Sequence, residues 1–82
     1  MSAADDKLTE ALAAVDVLDR AELICDVAAS GDKDAIKRVA AAANKLGDAM
    51  LPLDLLAETR RRRDPDLLAA IYAAGFKKDQ AT

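Results

Sequence analysis

A chain of 82 residues with a formal net charge of −3 can form one small domain, because so short a chain cannot bury enough surface for two cores. It contains no histidine and one cysteine, which excludes Ser–His and Cys–His nucleophile pairs, internal disulfides and multi-cysteine metal sites. No stretch approaches the roughly 18 apolar residues that a membrane-spanning helix needs. The composition therefore predicts a cytoplasmic protein with no membrane partner.

The pattern of apolar residues predicts an all-α fold. Apolar positions recur at helical spacing, no stretch alternates with a period of two, and Asp, Gly or Pro interrupts the pattern roughly every 12 to 16 residues. We expect a compact bundle of about five short helices in a single domain, residues 5–76. The flanking segments, 1–4 and 77–82, are predicted to be flexible.

The first helix is predicted to run from about Asp5 to Val17. Leu8, Leu12 and Val15 share one face of it and would form its contribution to the core, while the acidic residues lie largely on the other side.

A second helix is predicted to begin at Arg20. Asp19 is a suitable N-cap, and Glu22 follows three residues later, where it could accept from the amide of the cap. Leu18 and Leu23 occupy the two positions of a hydrophobic staple across this boundary. The helix would continue to about Ala29, with its inward face formed by Leu23, Ile24, Val27 and Ala28.

Cys25 lies inside this second apolar stretch. A buried, inert thiol is the prediction, because free cysteine is among the most buried residue types. A reactive or dimer-forming thiol is the alternative.

The third helix is predicted to start after Asp32, its N-cap, and to end at about Leu46. Gly47 could adopt the left-handed conformation that follows many helix ends. The predicted buried stripe is Ile36, Val39, Ala40, Ala43 and Leu46.

Two prolines predict the starts of the last two helices. Pro52 suits the first turn of the fourth helix, and Pro65 suits the first turn of the fifth, with Asp64 as its cap. Gly75 and Phe76 fit the left-handed end of the fifth helix and the apolar contact that accompanies it. The predicted core positions of these helices are Leu55, Leu56, Thr59, Leu67, Leu68, Ile71 and Tyr72.

An offset of 32 residues aligns several apolar and acidic positions of the second and third helices with those of the fourth and fifth. Asp32 and Asp34 match Asp64 and Asp66, for example. The bundle would then be a leading helix followed by two similar αα-hairpins, although chance similarity in an alanine-rich chain is equally consistent with the match.

The charges divide the chain into two parts. Residues 1–32 carry eight acids and two bases, whereas residues 33–82 carry ten bases and seven acids. Such an asymmetry can steer charged partners. The candidate acidic face is Asp5, Asp6, Glu10 and Asp16, and the candidate basic patch is Lys37, Arg38, Arg60, Arg61, Arg62 and Arg63.

Four consecutive arginines, Arg60 to Arg63, have three possible roles. They could form the solvated end of a helix, where cations interact favourably with free carbonyls. They could also bind nucleic acid or another anion, or an acidic protein surface. On a helix the four side chains spread around most of the circumference, so they cannot all contact one ligand.

No combination of residues predicts catalysis, a metal site or a cofactor, and an enzyme is not expected. The sequence predicts a small regulatory or adaptor protein that acts by protein–protein interaction. Its high alanine, aspartate and arginine content is typical of a bacterial or phage protein. The alternatives are a nucleic-acid-binding protein that uses the basic half, an acidic inhibitor of a DNA-binding protein, and a homo-oligomer.

Overall fold

The computed structural model describes the backbone of residues 3–78 and the side chains of residues 7–78. Within these residues the predicted all-α bundle is confirmed, and no strand is present. The five helices are α1 (Ala3–Ala14), α2 (Val17–Ala29), α3 (Lys33–Leu46), α4 (Leu51–Arg62) and α5 (Pro65–Ala73). The predicted flexible segments fall in large part outside the described residues and stay predictions.

Helix α2 contacts α3, α4 and α5, while α1 packs mainly on α3. The core is built from leucine, isoleucine and small alanine side chains, and the fully buried large ones are Leu12, Ile24, Leu51, Leu55 and Ile71. Four of these five were predicted core positions; Leu51 was not. Within residues 3–78 no helix has the length and apolar character required to cross a bilayer.

The predicted boundary between the first two helices is wrong. Helix α1 ends at Ala14, and α2 begins at Val17, three residues before the predicted start. Asp16, rather than Asp19, takes the N-cap position with extended backbone, and its carbonyl accepts a hydrogen bond from the Arg20 amide at 2.8 Å.

The hydrophobic staple that depended on this boundary is also wrong. Leu18 is 70% exposed and Leu23 is 38% exposed, so neither residue joins the core as predicted. Val15 is likewise exposed, since α1 stops before reaching it.

Several other helix ends follow the local signals. The carboxylate of Asp32 accepts hydrogen bonds from the amides of Asp34 and Ala35, and Gly47 is left-handed with φ 63°. At the end of α5, the Phe76 amide donates to the Ile71 carbonyl, as the predicted Schellman geometry requires. Asp64 occupies the predicted cap position of α5, although its carboxylate makes no capping hydrogen bond.

The 32-residue offset preserves burial only in part. It pairs buried Val39 with buried Ile71, but exposed Leu23 with fully buried Leu55, and buried Ile36 with half-buried Leu68. It aligns the N-cap residues of α3 and α5 but not those of α2 and α4, which are Asp16 and Met50.

Candidate interaction surfaces

Glu58 is a buried carboxylate in the last turns of α4, and two of the four arginines bind it. Arg61 holds both of its oxygens, with Nε at 3.0 Å from Oε1 and Nη2 at 2.6 Å from Oε2. Arg62 adds a third hydrogen bond from its Nε to Oε2 at 2.6 Å. Three charge-assisted hydrogen bonds satisfy an acid that would otherwise be costly to bury.

These contacts change the acid–base properties of the group. The hydrogen bond from Arg61, assisted by that from Arg62, lowers the pKa of Glu58 below its usual value, even though burial acts in the opposite direction. Glu58 is therefore ionised near neutral pH.

Arg62 also links α4 to α2. Its Nη2 donates to the Asp26 carboxylate at 2.7 Å and to the carbonyl oxygen of Glu22 at 3.4 Å. The pKa of its guanidinium is raised by Glu58 and Asp26 together. Arg61 and Arg62 therefore belong to an intramolecular ion-pair cluster. Its members are Glu58, Arg61, Arg62 and Asp26.

Cys25 lies beside this cluster and is fully buried. Burial raises the pKa of its thiol to about 11, so the thiol is protonated near neutral pH. The predicted burial is confirmed.

Arg60 and Arg63 point elsewhere, and their side chains are exposed. Both line a groove of about 350 Å³ between the end of α4 and the start of α5. We call this the α4–α5 groove; its lining is Leu56, Thr59, Arg60, Arg63, Asp64, Pro65 and Leu68.

The other two members of the predicted basic patch lie on α3, and both are exposed. Lys37 lines a second groove, of about 350 Å³, with Ile36 of α3 and the alanines of α5. The six predicted basic residues therefore do not form one patch. Two of them pair with Glu58, two line the α4–α5 groove, and two lie on α3.

The predicted acidic face is described only in part. Glu10 and Asp16 are exposed, at the middle of α1 and at the corner between α1 and α2. The side chains of Asp5 and Asp6 lie outside the described part of the chain.

Arg20 is a buried arginine that the sequence did not single out. Its Nε donates to the Leu12 carbonyl at 2.8 Å, which satisfies a free acceptor at the end of α1. Its Nη1 pairs with the Asp48 carboxylate at 2.6 Å in the loop before α4. The α1–α2 corner and the α3–α4 loop are therefore fixed at the same end of the bundle.

Four large apolar side chains are exposed on the two segments that the Arg20–Asp48 ion pair joins. Val17 and Leu18 are 47% and 70% exposed on the α2 side, and Met50 and Leu53 are 56% and 57% exposed at the start of α4. We call these four residues the apolar end. The sequence does not indicate this surface, because Leu18 stands at a position that fits a buried hydrophobic staple.

Among the described side chains, no group of three or more acidic or cysteine residues is arranged to hold a metal ion. Comparison with protein families, with curated proteins and with solved structures finds no match for this chain. The geometry of the surfaces is thus the basis for a functional proposal.

Proposed function

We propose that the protein is a small, non-enzymatic adaptor or regulator that binds another protein through the apolar end. The observation that carries this proposal is the exposure of Val17, Leu18, Met50 and Leu53 at one end of the bundle. Single exposed apolar side chains are common, whereas several on neighbouring segments favour an interaction site.

The contacts that connect the two segments support the proposal. Arg20 joins the two segments that carry the apolar side chains, through the ion pair with Asp48. Asp48 also accepts a hydrogen bond from the Met50 amide at 3.0 Å, which orders the start of α4. A surface that is already ordered loses little conformational entropy on binding.

The charge around the apolar end indicates the kind of partner. Asp16 and Asp19 are exposed beside Val17 and Leu18. Apolar residues in the centre and charged residues at the rim form a common arrangement of protein interfaces, and an acidic rim favours a basic partner. A DNA-binding protein is one class of basic partner, so inhibition of such a protein is included in the proposal.

The proposal also includes a bacterial or phage origin and a cytoplasmic location. Its support is compositional: about a quarter of the residues are alanine, and the single thiol is consistent with a reducing compartment.

Site-specific photo-crosslinking tests the proposal. A photoreactive residue at position 18 is expected to capture a protein in cells, whereas the same group at exposed Ala57 on α4 should not. The captured protein is then purified and its affinity measured. Leu18→Ser and Leu53→Ser should each weaken binding at least about tenfold, while Ala57→Ser should leave it unchanged. Equal binding by all of these variants would contradict the proposal.

Nucleic-acid binding is tested with the 82-residue protein alone, in purified form. A complex with a 20-nucleotide DNA or RNA whose affinity falls steeply with salt would favour the alternative function. We expect none, because two of the four arginines are paired within the protein.

A further inference from the structure

We propose that the α4–α5 groove binds an acidic, amphipathic segment of a protein partner. Apolar side chains of that segment would lie on the groove floor, and its carboxylates would pair with Arg60 and Arg63. This surface is separate from the apolar end, carries the opposite charge, and does not depend on the function proposed above.

The floor and walls of the groove are largely apolar. Leu56 from α4 and Leu68 from α5 are both half-buried, and Pro65 is exposed beside them. These side chains leave room of about 350 Å³, which an apolar side chain of a partner can enter.

Arg60 and Arg63 are the two cations of the lining. Neither side chain forms an ion pair within the part of the chain that the structure describes, in contrast to Arg61 and Arg62. Asp64 is the one acid of the lining and is half-buried, so the groove lining keeps a net positive charge. The planar guanidinium of arginine is suited to bidentate contacts with carboxylates.

The backbone at Arg63 provides independent support. Arg63 has φ 57° and is the one non-glycine residue with positive φ in the described part of the chain, whereas Gly31, Gly47 and Gly75 take such conformations elsewhere. Glycine is favoured at such positions, and a side chain there costs conformational free energy. Strained backbone conformations are frequent at binding sites, so the strain at Arg63 agrees with a binding role for its side chain in the groove.

The chemistry of the groove distinguishes an acidic peptide from nucleic acid. The lining contains no aromatic side chain on which a base could stack, and only two cations face it. An apolar floor beside two separate arginines suits a helix that carries leucines on one side and glutamates at the edge of that side.

The test uses a labelled 16-residue peptide of leucine and glutamate with helical spacing, and the full-length protein. We expect amide chemical-shift changes in residues 56–68, and saturable binding by fluorescence anisotropy. A peptide with lysine in place of every glutamate is the charge control and should bind at least about tenfold more weakly.

Two variants identify the cations. Arg60→Gln and Arg63→Gly should each reduce peptide affinity about five- to tenfold, whereas Arg38→Gln, which removes the same charge from α3, should leave it unchanged. Arg63→Gly removes the backbone strain, so its thermal stability should not fall, and a loss of affinity then cannot be due to unfolding.

Four results would overturn the proposal. The first two are the absence of shift changes in residues 56–68 at about 1 mM peptide, and equal binding of the lysine peptide. The other two are unchanged affinity of the Arg60→Gln/Arg63→Gly double variant, and displacement of the peptide by DNA at lower concentration than by unlabelled peptide. Concentration-dependent self-association in sedimentation that Arg60→Gln abolishes would instead assign the groove to a second copy of this chain.

Discussion

At the residue scale, the four arginines at the end of α4 make different contacts. Arg61 and Arg62 neutralise the buried carboxylate of Glu58, and Arg62 extends this contact to Asp26 on α2. Arg60 and Arg63 instead line the groove beside α5. A helix turns by about 100° per residue, so consecutive side chains must diverge in this way.

Glu58→Gln should destabilise the protein by about 1–2 kcal/mol at pH 7, because three charge-assisted hydrogen bonds lose their ionised acceptor. The effect is smaller than for a deeply buried pair, since Arg61 is exposed and stays hydrated. Urea unfolding of Glu58→Gln and of the exposed control Glu10→Gln provides the measurement.

The same pair of variants tests the pH dependence. The folded-state pKa of Glu58 lies below the ordinary value of 4.5, so its contribution to the free energy of unfolding is present above about pH 4.5 and is lost as the pH falls through the folded-state pKa. The difference between wild type and Glu58→Gln should therefore shrink on acidification. A difference that stays constant from pH 7 to the acid-unfolding region would contradict the role given to Glu58.

Arg63→Gly should raise the free energy of unfolding by about 0.5–1 kcal/mol, because glycine adopts the left-handed conformation without the clash of a Cβ atom. Arg63→Ala is the matched control: it removes the same charge but keeps the Cβ atom, and should give no gain. Thermal and urea unfolding at the same pH compare the two variants; equal stabilities would argue against strain at this position.

At the element scale, short-range signals define most helix ends. Asp32 and Asp64 occupy equivalent positions before α3 and α5, yet only the Asp32 carboxylate accepts hydrogen bonds from the amides of its helix. Comparing substitutions of the two residues therefore separates the stability contributed by a capping hydrogen bond from that contributed by a nearby negative charge.

Asp32→Ala should cost about 1 kcal/mol, the usual contribution of an N-cap. Asp64→Ala should cost less than about 0.5 kcal/mol, because it loses only a favourable interaction with the helix dipole. Both values come from urea unfolding. Equal losses would show that the capping hydrogen bonds of Asp32 contribute nothing beyond its charge.

At the scale of the whole molecule, Arg20 joins three parts of the chain. From α2 it donates to the end of α1 at Leu12 and to Asp48 in the loop before α4. Both contacts are at least partly buried, where unsatisfied polar groups are costly.

Arg20→Met should destabilise the protein by about 2–3 kcal/mol, because it retains apolar packing but leaves the Leu12 carbonyl and Asp48 without their donor. Arg20→Lys should recover part of the loss, since it keeps the charge but lacks the planar fork. Hydrogen exchange should show the largest loss of protection in α1. A uniform loss in all five helices would contradict the specific link to α1.

The sequence was sufficient for features that depend on neighbours within a turn or two. The helices, the cap at Asp32, the proline starts of α4 and α5, and the glycine ends at Gly47 and Gly75 all follow from local backbone preferences. Most core positions follow from helical periodicity, because a helix buries one face.

Tertiary structure alone decided the features that depend on distant partners. Asp16 and Asp19 are both acceptable caps, and the observed start at Val17 places Arg20 three residues inside α2. From there Arg20 contacts a carbonyl 8 residues away and a carboxylate 28 residues away. The pairing of Arg62 with Asp26 spans 36 residues, and Asn44 similarly donates to the Gly75 carbonyl across 31 residues. The sequence could not predict which arginines of the run pair within the protein. Each charged side chain pairs with residues that the fold brings near it, and local backbone preferences do not determine which distant residues those are.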